Sequence, residues 1–174
     1  MSGLLLPNTY VKDINEPIIF LAGPIRGAPF WHEEAICYLF SREKNVTIAS
    51  PQREISHSLL SAVLSSDGSN FPRQRAWERY YLDLASRKGA IMFWLPGEKE
   101  HSCEKVYGAM TRLELGQWMT RYYFDPSIRF CVGSDSEFAE LHTIRYDLLL
   151  DAADKIVIST LEATCEEALR LARL

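Results

Sequence analysis

The chain has 174 residues, enough for one domain with a full core and short for two. Apolar residues make up 47% and charged residues 24%, an ordinary balance for a globular protein, and the net charge is −4. With no basic block or basic helix face, nucleic-acid binding lacks electrostatic support, and no apolar run reaches membrane length.

The three-leucine run before Pro7 is too short for the apolar core of a signal peptide, so a soluble cytoplasmic protein is expected. Residues 17–22 form a continuous apolar run closed by Gly23-Pro24, which fits a strand buried on both faces. Residues 31–42 read as a helix with Ala35, Ile36, Leu39 and Phe40 on one face, and residues 46–49 as a second strand ended by Ser50-Pro51. Between 54 and 72 the pattern is ambiguous: 55–64 suits a helical turn or two, and 65–70 a loop. Trp77, Tyr80, Tyr81, Leu84 and Ala85 recur at helical spacing over 72–88, and Gly89 stops that helix. A third buried strand, 90–95, is broken by Pro96-Gly97. A helix over 108–123, a strand over 128–132, a helix over 136–150, a strand over 155–159 and a final helix over 161–173 complete the chain.

Strands alternating with helices predict right-handed βαβ units on a parallel sheet. Five strands at this length suit a flavodoxin-like, Rossmann-type three-layer α/β fold, mainly parallel, order 2-1-3-4-5, as a single domain over 1–174. Ligands in such sheets bind at the carboxyl ends of the strands, near the reversal of strand order. Three unusual segments fall there: Gly23-Pro24-Ile25-Arg26-Gly27, Pro51-Gln52-Arg53, and Pro96-Gly97-Glu98 leading toward the 108–123 helix.

That helix carries Glu114 among Leu113, Leu115, Trp118 and Met119, where a carboxylate pays a desolvation penalty unless something compensates it. It reads either as a group satisfied by Arg112 or Arg121, or simply exposed, or as a nucleophile or acid–base group in a partly dry pocket. Gly116 in the same turn costs helix propensity and suggests that something approaches the backbone closely. Asp83 is the second candidate carboxylate. Two converging carboxylates suit glycosyl-bond cleavage, while the plainer reading is a solvated or Arg87-paired side chain. The 23–27 turn offers backbone N–H groups to an anion or a sugar, with Arg26 in reach of a phosphate, but it matches neither the dinucleotide fingerprint nor the Walker pattern. Of the aromatic residues most are core, with Trp77 or Trp94 available to stack on a heterocycle. His32, His57, His101 and His142 show no triad or metal spacing, and are assigned no catalytic role. The four scattered cysteines form no Cys-x-x-Cys pair and read as reduced thiols; no metal and no cofactor is expected.

With those residues in view, the chain resembles the nucleoside 2-deoxyribosyltransferase family. The matching segments are Ile19-Phe20-Leu21-Ala22-Gly23-Pro24-Ile25, Gln74-x-x-Trp77-Glu78-x-x-Tyr81-Leu82-x-x-Ala85, Ile91-Met92-Phe93-Trp94-Leu95-Pro96, and Thr111-Arg112-Leu113-Glu114-Leu115-Gly116-Gln117-Trp118. The resemblance implies Glu114 as the nucleophile of a covalent 2-deoxyribosyl intermediate, resolved by a free nucleobase with retained stereochemistry. It also implies that Asp83 contacts substrate and assists base departure. The implied substrate-binding residues are Phe20, Gly23, Pro24, Ile25, Arg26, Gln52, Trp77, Trp94, Thr111 and Arg112. Phe20 stands where relatives often have a tyrosine that orients the nucleophile, and Gly108 where many carry an acidic residue. Implied partners are a deoxynucleoside, a free base and further copies of the chain, with active sites near the subunit interface; neither nucleic acid nor membrane is expected. The related 2-deoxynucleoside 5-monophosphate N-hydrolases are the nearest alternative, because the 23–27 turn is similar to their Gly-x-Ile-Arg-Gly turn apart from its proline. A third possibility is a non-catalytic nucleotide-binding module of the same fold.

Overall fold

A computed structural model describes residues 2–67 and 73–174. The start of the sequence-predicted helix at Pro72, and residues 68–70 of the predicted loop, lie outside the described residues. The elements are β1 (Gly3–Leu5), β2 (Ile18–Ala22), α1 (Trp31–Arg42), β3 (Thr47–Ala49), a short 3-10 helix (His57–Ala62), α2 (Gln74–Lys88), β4 (Gly89–Leu95), α3 (Ala109–Phe124), β5 (Phe130–Ser134), α4 (Leu141–Asp151), β6 (Val157–Ile158) and α5 (Leu161–Ala172).

All six strands pair in parallel, in the order β1-β3-β2-β4-β5-β6. The molecule is therefore α/β with a parallel sheet, which fits a flavodoxin-like class. The expectation of five strands in order 2-1-3-4-5 is corrected to six. The extra strand is β1, which joins the outer edge of β3 through the register Gly3 to Thr47, Leu4 to Ile48 and Leu5 to Ala49. The edge that β1 would otherwise expose is partly covered, since the Leu64 N–H donates to the Leu4 carbonyl at 2.9 Å.

Every residue of β2 and β4 is buried, as a strand covered on both faces requires. Side chains alternate across the sheet and divide the core in two. Phe20, Ala22, Ile91, Phe93 and Phe130 pack with Trp77 and Tyr81 of α2, Leu115 and Trp118 of α3, and Leu148 of α4. On the opposite face Ile19, Leu21, Met92 and Trp94 pack with Trp31 and Ile36 of α1 and with Cys165 and Leu169 of α5. The result is helices, sheet, helices. Trp77 also tethers the N-terminal segment, its Nε1 donating to the Thr9 carbonyl at 2.9 Å. No helix among the described residues is long and apolar enough to cross a membrane.

Candidate active site

An open cleft of about 1190 Å³ lies at the carboxyl ends of β2, β3 and β4. Its walls come from the 23–27 turn, residues 51–54, the loop after β4, and the leading turns of α1, α2 and α3. That is where a parallel sheet leaves room between diverging loops, and the volume suits a small organic ligand.

The turn after β2 is fastened on two sides. Gly23 is required by close approach: a Cβ there would stand 2.3 Å from the Trp94 carbonyl oxygen and 2.6 Å from Trp31 Cζ2. The buried Trp31 Nε1 then donates to the Pro24 carbonyl at 2.9 Å, fixing the turn to α1. Gly27 adopts a φ of +79°, a left-handed conformation that favours glycine, and its carbonyl accepts from the N–H groups of Lys99 and Glu100. Arg26 sits exposed on this turn, lines the cleft, and makes no hydrogen bond or ion pair among the described residues.

Glu114 reaches the cleft because α3 presents Thr111, Glu114, Leu115 and Trp118 along one buried stripe, at the spacing of a helix face. The residue is only 9% exposed. Its partner is Arg75 from α2, whose guanidinium Nη1 donates to Glu114 Oε1 and lies 3.2 Å from Glu78 Oε2. Burial pushes the Glu114 carboxyl above its ordinary value; the Arg75 hydrogen bond and charge pull it down without overcoming that, and Glu78 adds to the rise. Burial by itself would lower Arg75, but its bonds and charges with Glu114 and Glu78 outweigh this and hold the guanidinium firmly protonated. The network continues outward. Gln74 donates to Glu78 Oε1 at 2.9 Å and to the Pro51 carbonyl at 3.2 Å, and accepts from Arg53 Nε at 2.8 Å. A chain of side chains thus runs from the end of β3 to the buried carboxylate.

Of the sequence-predicted residues, Glu114, Phe20, Gly23, Pro24, Ile25, Arg26, Gln52 and Thr111 all line this one cleft. Four others do not reach it. Asp83 faces away, its two carboxylate oxygens accepting from Arg87 Nη2 at 2.7 and 2.8 Å, with Arg121 at 3.8 Å. Trp77 and Trp94 are core residues on opposite sides of the sheet. Arg112 clamps the start of α3, donating to the Tyr107 and Ala139 carbonyls and stacking 4.3 Å over Phe138. Neither Arg112 nor Arg121 satisfies Glu114; Arg121 instead lies over the Trp118 ring. Gly116 is corrected as well: a Cβ there would meet nothing within 4 Å, so nothing crowds that backbone.

Three cleft residues escaped the sequence reading. Arg75 and Glu78 left a trace, since Glu78 stands beside Trp77 in the aromatic helix and Arg75 one turn earlier. His32 left none. It is 1% exposed and lines the cleft, with its Nε2 buried and unpartnered among the described residues. Among those residues no cluster of three or more His, Cys, Asp or Glu side chains could hold a metal ion. Cys37 and Cys103 are exposed free thiols, and Cys131 and Cys165 buried ones. No protein-family model matches the chain, and no curated protein matches it.

Proposed function

We propose that this protein breaks the N-glycosidic bond of 2-deoxynucleosides and passes the 2-deoxyribosyl group to a second nucleobase through Glu114. One observation carries the reading: a poorly hydrated carboxylate, held by a single guanidinium, opens onto the cleft at the carboxyl ends of the strands. A Glu114 oxygen attacks the sugar C1′, and the C1′–N bond breaks with its electron pair leaving on the base, which takes up a proton. A ring nitrogen of the incoming base then attacks C1′, expels the carboxylate and gives up a proton. Two inversions give net retention.

Arg75 orients the attacking carboxylate and favours its ionised form. It supplies the donor that Phe20, lacking a hydroxyl, does not. Glu78 replaces Asp83 as the second carboxylate of the cleft. Glu78 and Glu114 contact the same Arg75 nitrogen, so the two carboxylates lie side by side in the cleft. The flavodoxin-like assignment and a homo-oligomeric state belong to this same reading.

A second reading, hydrolysis of a deoxynucleoside 5-monophosphate, is favoured by the uncommitted Arg26 at the cleft wall. One assay separates the two. Thymidine or its 5-monophosphate is incubated with and without adenine, using wild type and Glu114→Ala. Deoxyadenosine formation that disappears in the variant, together with a covalent sugar adduct on Glu114 after reaction with a 2-fluorinated deoxynucleoside, is expected. Thymine release from the monophosphate alone, without exchange, selects the hydrolase. Full activity in Glu114→Ala ends both.

A further inference from the structure

We propose that Gln74 is a positioning residue for the nucleophile: it fixes the Glu78–Arg75 pair to the end of β3 and, through that pair, sets the aim of the Glu114 carboxylate. The inference rests on the glycosyl-transfer reading, to which it adds what holds the reacting group in register.

Arg75 is a poor anchor by itself. Its side chain is long and 37% exposed, and such a chain samples many rotamers unless something selects one. Glu78, one turn along α2, makes that selection by accepting from Arg75 Nη1, the same nitrogen that donates to Glu114. Glu78 is flexible too, and it holds Arg75 in one place only if its other oxygen is also held. Gln74 Nε2 does this, donating to Glu78 Oε1 at 2.9 Å from the first residue of α2.

The amide of Gln74 has one orientation open to it. Arg53 Nε, 2.8 Å away, can only donate, and the Pro51 carbonyl, 3.2 Å away, can only accept. Oε1 therefore faces Arg53, and the Nε2 hydrogens go to Pro51 and to Glu78. Pro51 is buried and lies two residues beyond β3, so here a run of mobile side chains reaches the rigid sheet. A residue that merely tied α2 to the sheet would need the Pro51 bond alone. The second bond, to Glu78, is the one that links this tie to the attacking carboxylate. Such linkage matters because a displacement of about 1 Å at a reacting atom can cost on the order of 100-fold in rate.

Gln74→Met removes the amide at nearly unchanged length. Without it Glu78 swings and draws Arg75 toward solvent, so Glu114 loses its counter-charge in a dry site and titrates at higher pH. The test follows the Glu114 carboxyl carbon by ¹³C NMR without substrate, and base exchange by steady-state kinetics, in wild type, Gln74→Met, Arg75→Ala and the double variant. We expect the Glu114 midpoint to rise in Gln74→Met, and kcat to fall roughly tenfold with KM changed less than about twofold. Added to Arg75→Ala, Gln74→Met should do nothing more to either, because it acts through Arg75. An unmoved midpoint in Gln74→Met, or losses that add in the double variant, would overturn the proposal and leave Gln74 as a tie between helix and sheet. Should Gln74→Met not fold, Gln74→Glu is measured in its place; it keeps the acceptor for Arg53, loses both donated bonds, and carries the same expectations. The two levels of inference fail separately. A midpoint that responds to Gln74 without any base exchange in wild type sinks the transferase and keeps the positioning role; Glu114-dependent exchange with an unresponsive midpoint does the reverse.

Discussion

A nucleophilic carboxylate must be ionised, and burial works against ionisation at Glu114. Activity should therefore fade with acidification at a higher pH than an ordinary glutamate would dictate. Arg75 opposes that shift, so Arg75→Ala should move the acid limb of kcat/KM further up and lower its plateau at least roughly tenfold, with partial rescue by lysine. A pH–rate profile of the three proteins checks this, and coincident acid limbs would remove Arg75 from the mechanism. Stability runs the other way: because the folded-state value is raised, the contribution of Glu114 is greatest at low pH and is lost as pH rises through that value. The candidate nucleophile was legible because a charge interrupts an otherwise apolar stripe. Its partner was not, since Arg75 lies 39 residues away and only the packing of α2 on β4 brings it near. Glu78 and Asp83 show the same limit. Both are acids on one helix, but five residues apart they point in different directions, and nothing local says which direction is the cleft.

Helix α3 buries Glu114 on one face and carries Gly116 on its open side. With no contact to lose, Gly116→Ala should stabilise the protein by about 1 kcal/mol and raise Tm by roughly 2–4 °C, measured by thermal unfolding. A loss of stability would mean that a partner surface occupies that face. Most elements were legible from apolar runs and glycine or proline stops, and the exceptions have local causes. The helix expected over 136–150 begins only at Leu141, because Ser136 and Glu140 take φ values of +76° and +59°, incompatible with a right-handed helix. β1 was hidden because three residues before a proline carry no periodicity; only pairing with β3 makes them a strand.

For the whole molecule, the α/β class and the location of the cleft followed from strand–helix alternation, while the sixth strand and the convergence of α1, α2 and α3 required the tertiary packing. The outer surface makes a further demand. On the adjoining helices α3 and α4, Tyr123, Phe124, Tyr146, Leu149 and Leu150 are each at least 60% exposed, and the proposed homo-oligomer would cover them. A dimer or larger assembly should appear in analytical ultracentrifugation, and Leu149→Lys with Leu150→Lys should dissociate it. A monodisperse monomer with full exchange activity would remove the oligomer from the proposal.

The double acceptance by the Gly27 carbonyl has a mechanical outcome. It staples the rim of one strand end to the rim of its neighbour, joining the two loops that flank the mouth. Loosening either loop should therefore raise amide hydrogen exchange in the other, around Arg26 on one lip and Lys99 and Glu100 on the other.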